Sequence, residues 1–484
     1  MAILILLALP LFASGASALM PRTHKWAIEY IALAAVALEM SLALVIASTV
    51  LADGTFHAGL LFETDALSAF FMGLAATVGL AVAIHSIGHL REEVHKGIIG
   101  FRRVRQYFVL FHLFFFAMYV VTTTASPLIM WVAIEATTLA TAFLISFYHK
   151  PSALEAGWKH LIINSVGLLL GFFGTLLFLN AATNAGAGGG FITWDTLRAV
   201  QGSLDPLLIT LAFIFVLVGY GTKVGFVPLH TWLPDAHGKA PIPISSLLSG
   251  LLLNVALIAI LRFRTITDSV LDPSFTQDLL ILFGIVSLVV ASLIIFVQKN
   301  YKRLLAYSSI EHMGVMALGF GVGGIGVIAA LMHMLYHAFL KPLLFFAAGN
   351  IFLKYSSTKI ASVRGALTLL PVSSAVFFAA LLAISGVPPS GMFFTKLSIL
   401  AAGMQNFPYL MFIALLALIV VFAGFVKHAT NMLFGEAPDD IPKGEANRWT
   451  LVSLAFLSLV FVVLSIWIPA PLSELVADAA AIIQ

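Results

Sequence analysis

The chain has 484 residues, of which 61% are hydrophobic and only 10% charged, with a mean hydropathy of +1.05. That leaves too little polar surface to cover soluble domains, and the same hydrophobicity excludes disorder. Lys and Arg number 25 against 22 Asp and Glu, an excess too small to argue for nucleic-acid binding, and the lack of cysteine removes disulfides, a thiol nucleophile and thiolate-held iron–sulfur clusters.

A helix needs roughly 20 apolar residues to cross a bilayer of about 30 Å. Such runs follow one another along almost the whole chain: 2–20, 26–51, 66–90, 105–123, 126–148, 159–181, 207–233, 242–264, 278–297, 302–322, 325–352, 371–403, 407–434 and 450–470. These fourteen runs predict an all-α integral membrane protein of about 14 transmembrane helices. The first run is apolar and ends in small residues, as a signal peptide does. No positive residue precedes it, so a retained helix is expected. The Gly-rich stretch 185–190 reads as a surface loop, because no helix start with Lys-Ser/Thr follows it.

Loops after odd-numbered spans carry 19 basic residues: Arg22, Lys25, Arg91, Lys96, Arg102, Arg103, Arg105, Lys150, Lys159, Lys239, Lys299, Lys302, Arg303, Lys354, Lys359, Arg364, Lys427, Lys443 and Arg448. Loops after even-numbered spans carry Arg198, Arg262 and Arg264. The positive-inside rule makes the odd loops cytoplasmic and turns both termini outward.

Three lysines remain, Lys223, Lys341 and Lys396, and all lie inside apolar runs. A charge at the bilayer centre costs about 2.5–3.5 kcal/mol on insertion scales and usually faces a cavity or an ion pathway. Snorkelling at a helix end is the plainer reading for one such lysine, and it weakens when three must do it. Lys223 follows Gly219 and Gly221 and precedes Gly225 and Pro228. Lys396 follows Gly386, Pro388, Pro389 and Gly391. Spans 7 and 12 are therefore expected to be broken helices, five spans apart, and such pairs point to inverted repeats. The expected division is 1–104 for spans 1–3, 105–264 for spans 4–8, 278–434 for spans 9–13, and 450–484 for span 14 and a tail.

His333, His337 and Lys341 recur every four residues, which stacks them on one helix face about 6 Å apart. A row of histidines and a lysine suits proton transfer near neutral pH. Two histidines at i, i+4 also suit a metal, but further ligands do not stand out and none is assigned. Hydrogen-bonding between helices is the other plain reading. Glu135 lies within span 5 and needs a partner, for which Lys223 is the candidate. Separating such a pair would release a proton from the lysine. A static buried pair is the alternative. Glu39 sits mid-span without an evident partner and is read as a lateral contact with a neighbouring subunit. Glu311 and His312 read as either a channel mouth or a wet helix end. His112 is read as a packing residue.

At these residues the sequence resembles the antiporter-like membrane subunits of respiratory complex I and its relatives. The motifs are Pro228–His237 (PLHTWLPDAH), Lys302–Ile310 (KRLLAYSSI) and His337–Phe345 (HAFLKPLLF), and the similarity runs from about residue 60 to 430. Ser245–Asn254 and Ser309–Gly314 look most like the component F type of hydrogenase-4, in the group 4 membrane-bound nickel–iron hydrogenases and formate hydrogenlyases. The resemblance implies two inverted five-helix repeats, spans 4–8 and 9–13. It implies translocation of protons, or of sodium, driven by redox chemistry in partner subunits of one complex in a bacterial or archaeal plasma membrane. Iron–sulfur clusters and nickel–iron centres are then expected on soluble redox partners, beside further membrane subunits, with no cofactor or metal in this chain. Glu135, Lys223, His333, His337, Lys341 and Lys396 take the translocation positions, with His230, Asn254, Glu311, His312 and Glu39 as auxiliaries. Many relatives carry a lysine or histidine in span 8, where this chain has Ser249 and Asn254, so that step is expected to need water. No segment after span 14 matches the lateral helix of some relatives. Two other readings are an antiporter-like subunit without redox partners, of the Mrp or inorganic-carbon type, and a structural anchor that conducts nothing.

Overall fold

The computed structural model describes residues 1–484 apart from Lys25, Gly189 and Ala446, so Lys25 of the basic tally lies outside the described residues. The helices are α1 (Ala2–Leu19), α2 (Ala27–Asp53), α3 (Ala66–His95), α4 (Phe101–Thr123), α5 (Pro127–Ile145), α6 (Pro151–Ala182) and the short α7 (Trp194–Val200). Then come α8 (Pro206–Val224), α9 (Trp232–Lys239), α10 (Ile242–Leu247), α11 (Leu253–Asp268), α12 (Ser274–Val297), α13 (Tyr301–Val322) and α14 (Ile325–Tyr355). The chain ends with α15 (Ala366–Leu369), α16 (Pro371–Ser385), α17 (Gly391–Gly403), α18 (Pro408–Leu433), α19 (Arg448–Ile466) and α20 (Ala470–Ile483). Among the described residues, 12 helical stretches are long and apolar enough to cross a membrane. The polar 22-residue α13 and the broken pair α16–α17 fill the tenth and twelfth expected positions.

Besides the short helices α7, α9 and α15, a hairpin and a terminal helix escape the hydropathy reading. A hairpin of β1 (Phe56–Ala58) and β2 (Phe62–Thr64) turns at Gly59, whose φ of 70° suits glycine. The expected tail forms α20, which lays an apolar face on α3 and α14.

The loops sort into two faces. On one, β2 bridges Thr124, Trp194 N donates to Ala125 O, Arg198 meets Glu63 and Arg262 meets Asp65. Gln484 Nε2 reaches Gly324 O on this side too. On the other, Lys96 Nζ donates to Leu353 O, Lys159 meets Asp235, Asn300 bridges Lys359, and Lys354 Nζ donates to Gly444 O. The second is the basic face that the charge tally describes.

Burial ranks the helices. The apolar window of the stretch from Ile242 to Asp268 is 100% buried and that of α14 94%, against 33% in α18 and 28% in α19. So α10, α11 and α14 form the centre, and α18 and α19 lie at the rim. Glycines permit the closest approaches. A Cβ on Gly219 of α8 would stand 2.2 Å from Gly171 N of α6, and one on Gly314 of α13 would stand 2.7 Å from Gly284 O of α12. Asp65 caps α3 by accepting from Ser68 N and receives Arg262 at 2.6 and 2.7 Å. Burial disfavours its charge, but the Arg262 guanidinium and the cap outweigh that and hold the carboxyl at about 2.

Candidate functional site

The two expected breaks are present. Helix α8 ends at Gly225, with φ 86°, and α16 ends at Gly386, with φ 93°. A helix end leaves carbonyls without partners and carries partial negative charge, which favours a cation. Lys223 lies in the last turn of α8. Lys396, on α17, donates back to Ile384 O at 3.1 Å and Ser385 O at 3.4 Å, the carbonyls freed at the end of α16. Trp232 Nε1 donates to Thr222 O at 2.8 Å and covers the first break.

Lys223 is fully buried, but it does not pair with Glu135 as expected. Its ammonium donates to Thr138 Oγ1 at 2.7 Å, and Glu135 accepts from Ser165 Oγ at 2.6 Å. Glu135 and Thr138 are three residues apart on α5, so the lysine takes the neighbouring hydroxyl on the same face. The two charges stay within electrostatic reach. Thr141, one residue turn further along α5, shares a 2.9 Å hydrogen bond with His160 Nε2 of α6, and Asn164 Nδ2 donates to His160 O. His160 is fully buried and within electrostatic reach of both Lys223 and His237.

That contact matters for the eighth span. Asn254 Nδ2 donates to Gly250 O at 2.7 Å, and Ser249 and Ser309 share a 2.7 Å hydroxyl contact, so neither carries charge. The gap is flanked instead by His237 of α9, buried, stacked on Phe345 and within electrostatic reach of Lys341. Residues Leu248–Leu252 form a π-helical turn over Pro342 of α14, and a Cβ on Gly250 would stand 3.0 Å from the proline ring. Single π-turns of this kind recur at functional sites. His230, in the turn between α8 and α9, is nearly buried beside Tyr307.

The second half is more tightly joined. His333, His337 and Lys341 share one face of α14 and are all fully buried. His333 Nε2 shares a 2.9 Å hydrogen bond with His312 Nδ1, and His333 Nδ1 one of 2.9 Å with Thr395 Oγ1. The His337 ring lies 5.3 Å from that of His312, and Lys341 Nζ donates to Leu305 O at 2.9 Å. Glu311 and His312 are not at a wet end, because both are fully buried. Glu311 Oε1 receives Lys396 Nζ at 3.1 Å, and its Oε2 lies 3.1 Å from His312 Nε2. The sequence offered no partner for either Glu311 or Lys396.

Other expectations are corrected as well. Glu39 does not face a neighbour. It is fully buried between α2 and α4 and accepts from Tyr119 OH at 3.2 Å. Lys302, Arg262 and Arg264, tallied with the loops, have little exposed surface, and Lys302 Nζ donates to Ala240 O at 2.7 Å. His112 is buried, with its ring edge-on to Phe111 and neither ring nitrogen hydrogen-bonded within the protein. Lys223, His160, His237, Lys341, His337, His312 with His333, Glu311 and Lys396 thus form a buried polar axis across the core, its members within electrostatic reach of one another in the first half and in close contact from His337 to Lys396. His160 was passed over in the sequence, and His237 entered only as the end of the Pro228–His237 motif. His160 begins an apolar run with Asn164 one turn on, which was the available signal.

Broken helices carrying buried lysines in a polytopic helical core define an antiporter-like membrane subunit. Residues 124–422 match the family described as NADH:quinone oxidoreductase/Mrp antiporter, TM, and residues 51–97 match the complex I chain 5 N-terminus. The hydrogenase-4 component F homolog of Methylacidiphilum infernorum is 37% identical over 393 residues, covering 80% of this chain and 81% of the relative. A chain of the membrane-bound sulfane sulfur reductase, an archaeal respiratory membrane complex, superposes with a TM-score of 0.88 at 24% identity, covering 99% of this chain and 97% of that one. A chain of the Mrp complex from a Dietzia species gives 0.84 at 20%, covering 99% and 96%. The chain belongs to the NADH:quinone oxidoreductase/Mrp antiporter transmembrane family.

Proposed function

We propose that the chain is the proton-translocating membrane subunit of a redox complex of the hydrogenase-4 type. The observation that carries this reading is the buried axis from Lys223 to Lys396. It lines up lysines, histidines and a carboxylate through an apolar core, where charges usually mark ion pathways. The likeness to a hydrogenase-4 component F homolog supports redox partners over a free-standing antiporter. Iron–sulfur and nickel–iron centres would sit on those partners. The basic face is read as cytoplasmic, from its excess of Lys and Arg. Spans 4–8 and 9–13 are read as the two repeats, which makes Glu311–Lys396 the counterpart of Glu135–Lys223.

Protons would pass along the axis as the two Glu–Lys pairs open and close. Opening a pair removes the charge that stabilises the lysine's proton, and closing it restores that charge. Moving one charge against 100 mV costs about 2.3 kcal/mol, and a shift of two pKa units is worth about 2.7 kcal/mol. A switch of this kind is therefore of adequate size.

The test has two parts. Mild-detergent purification with mass spectrometry should recover a nickel–iron hydrogenase pair and iron–sulfur proteins. Recovery of small membrane subunits alone would move the chain to the antiporter reading. Inverted vesicles should then be energised with dihydrogen, formate, NADH or reduced ferredoxin, with acridine-dye quenching as the readout. Lys223→Ala and Lys341→Ala should each abolish quenching while the complex still assembles. Quenching at the wild-type rate in both variants refutes the reading.

A further inference from the structure

Helix α3 carries a second row that the axis does not use. His85, His89 and Glu93 recur every four residues and are 0%, 0% and 1% exposed. Four residues rise about 6 Å, so the row runs some 12 Å inward from the basic face, where Glu93 lies in the last turns of α3. His89 Nε2 lies 3.4 Å from Glu93 Oε1, and the His85 and His89 rings are 6.1 Å apart. His85 Nδ1 shares a 2.9 Å hydrogen bond with Ser453 Oγ, and its ring stacks 4.0 Å from that of Phe346 on α14. Tyr148 OH donates to Glu93 Oε1.

The row also connects. Lys302 of α13 lies within electrostatic reach of Glu93, and His237 within reach of both Lys302 and Lys341. Lys302 Nζ also donates to Ala240 O at the end of α9, the helix that carries His237, so the groups between Glu93 and the centre of the axis lie near one another.

The row carries more titratable groups than packing between helices requires. A structural polar network satisfies its buried atoms, and each one left open costs about 1–3 kcal/mol. Here Glu93 Oε2, His89 Nδ1 and His85 Nε2 accept or donate no protein hydrogen bond. A metal site does not account for them either. Among the described residues, the ligand atoms of His85, His89 and Glu93 do not all come within 4.8 Å of one another, as a shared metal would need. Open acceptor and donor positions on titratable groups, in a line leading inward from the basic face, suit proton uptake.

We propose that α3 is a proton inlet. Glu93 takes a proton from water at the basic face and passes it through Lys302 and His237 to Lys341, and His89 and His85 hold a further proton beside it. Each step moves one proton and no electrons, and water at the basic face refills Glu93. The inference rests on the reading that Lys341 carries protons.

The test uses the whole complex in inverted vesicles, energised with whichever of dihydrogen, formate, NADH or reduced ferredoxin quenches the dye in the wild type. Glu93→Gln should slow quenching at least tenfold, while Glu93→Asp keeps most of the rate. Tyr148→Phe removes a hydrogen bond from Glu93 without removing its proton site and should stay within twofold. In Glu93→Ala, added formate or azide should restore part of the rate through a small diffusible acid, which a purely structural role would not allow. Should Glu93→Gln fail to assemble, the double variant His85→Gln with His89→Gln takes its place. It keeps hydrogen-bonding capacity but cannot carry the charge, and it should slow quenching at least threefold. An assembled Glu93→Gln, or that double variant, pumping at the wild-type rate while Lys341→Ala is inactive overturns the inlet and leaves the translocation reading intact. An active Lys341→Ala overturns the reading beneath it.

Discussion

Lys396→Met separates the structural role of the Glu311–Lys396 pair from the transport role proposed for it. Lys396 Nζ donates to Glu311 Oε1 at 3.1 Å, and the side chains are 6% and 0% exposed. Removing one partner of a buried pair costs about 3–5 kcal/mol, because the other charge is left uncompensated. Loss of the donors to Ile384 O and Ser385 O adds about 1 kcal/mol. Lys396→Met should therefore lower the unfolding transition of the purified complex in a detergent titration followed by tryptophan fluorescence. Replacing both charges by apolar groups removes the desolvation penalty along with the attraction. The double variant Glu311→Leu with Lys396→Met should recover at least half of the lost stability, the remainder reflecting the lost contact with His312. Transport should behave otherwise, with both variants failing to quench the dye. A Lys396→Met protein as stable as the wild type refutes the energetic argument. A double variant that pumps at the wild-type rate refutes the assignment of the pair to the path.

His160→Leu should assemble normally yet slow dye quenching at least tenfold, since it breaks the link from Thr141 toward His237. Gly219→Ala places a Cβ 2.2 Å from Gly171 N. Overpacking of this kind costs about 1–3 kcal/mol, and because it spreads α6 from α8 near Lys223, thermal stability and quenching should fall together. Asp65 titrates at about 2 in the folded chain, below its ordinary value near 3.9, so its contribution of roughly 2–3 kcal/mol is complete above about pH 4 and is withdrawn as the pH falls toward 2. Asp65→Asn should remove that acid dependence from the unfolding midpoint, and an unchanged pH profile would show that Arg262 does not stabilise the carboxylate.

The membrane architecture was legible because hydropathy and helix length leave few alternatives. The runs 26–51 and 407–434 reappear as α2 and α18 with ends shifted by a residue or two. The two breaks were legible because glycine and proline have local consequences that no tertiary contact need supply. What lay hidden depends on contacts distant in sequence. Lys396 and Glu311 are 85 residues apart, and Lys302 reads as a loop residue until Ala240 O is seen to receive its ammonium. The row on α3 has the same spacing as the row on α14 and was open to the same reasoning. Its charged end lies among Arg91, Glu92 and Lys96, where the apolar run stops and hydropathy alone reads a solvated loop.

The two halves of the molecule hold the same chemistry in different arrangements. On the offset of five spans that the proposed repeats imply, α5 corresponds to α13, and the lysine of α8 to that of α17. Glu311 and Lys396 are joined, whereas Glu135 and Lys223 are apart, each held by a hydroxyl, Ser165 on the acid and Thr138 on the lysine. A switch requires both arrangements to be accessible within a few kcal/mol, since a pair that could only close would be a staple. In the proposed switch the hydroxyls would serve the first half by giving each separated charge a hydrogen bond, and the carbonyls of Ile384 and Ser385 would offer Lys396 a comparable resting place in the second. Between the pairs runs a chain of histidines with several ring nitrogens unpartnered, including both of His237 and both of His337. A closed pair at one end and an open pair at the other, joined by groups able to bind or release a proton, is the arrangement expected if the two halves alternate.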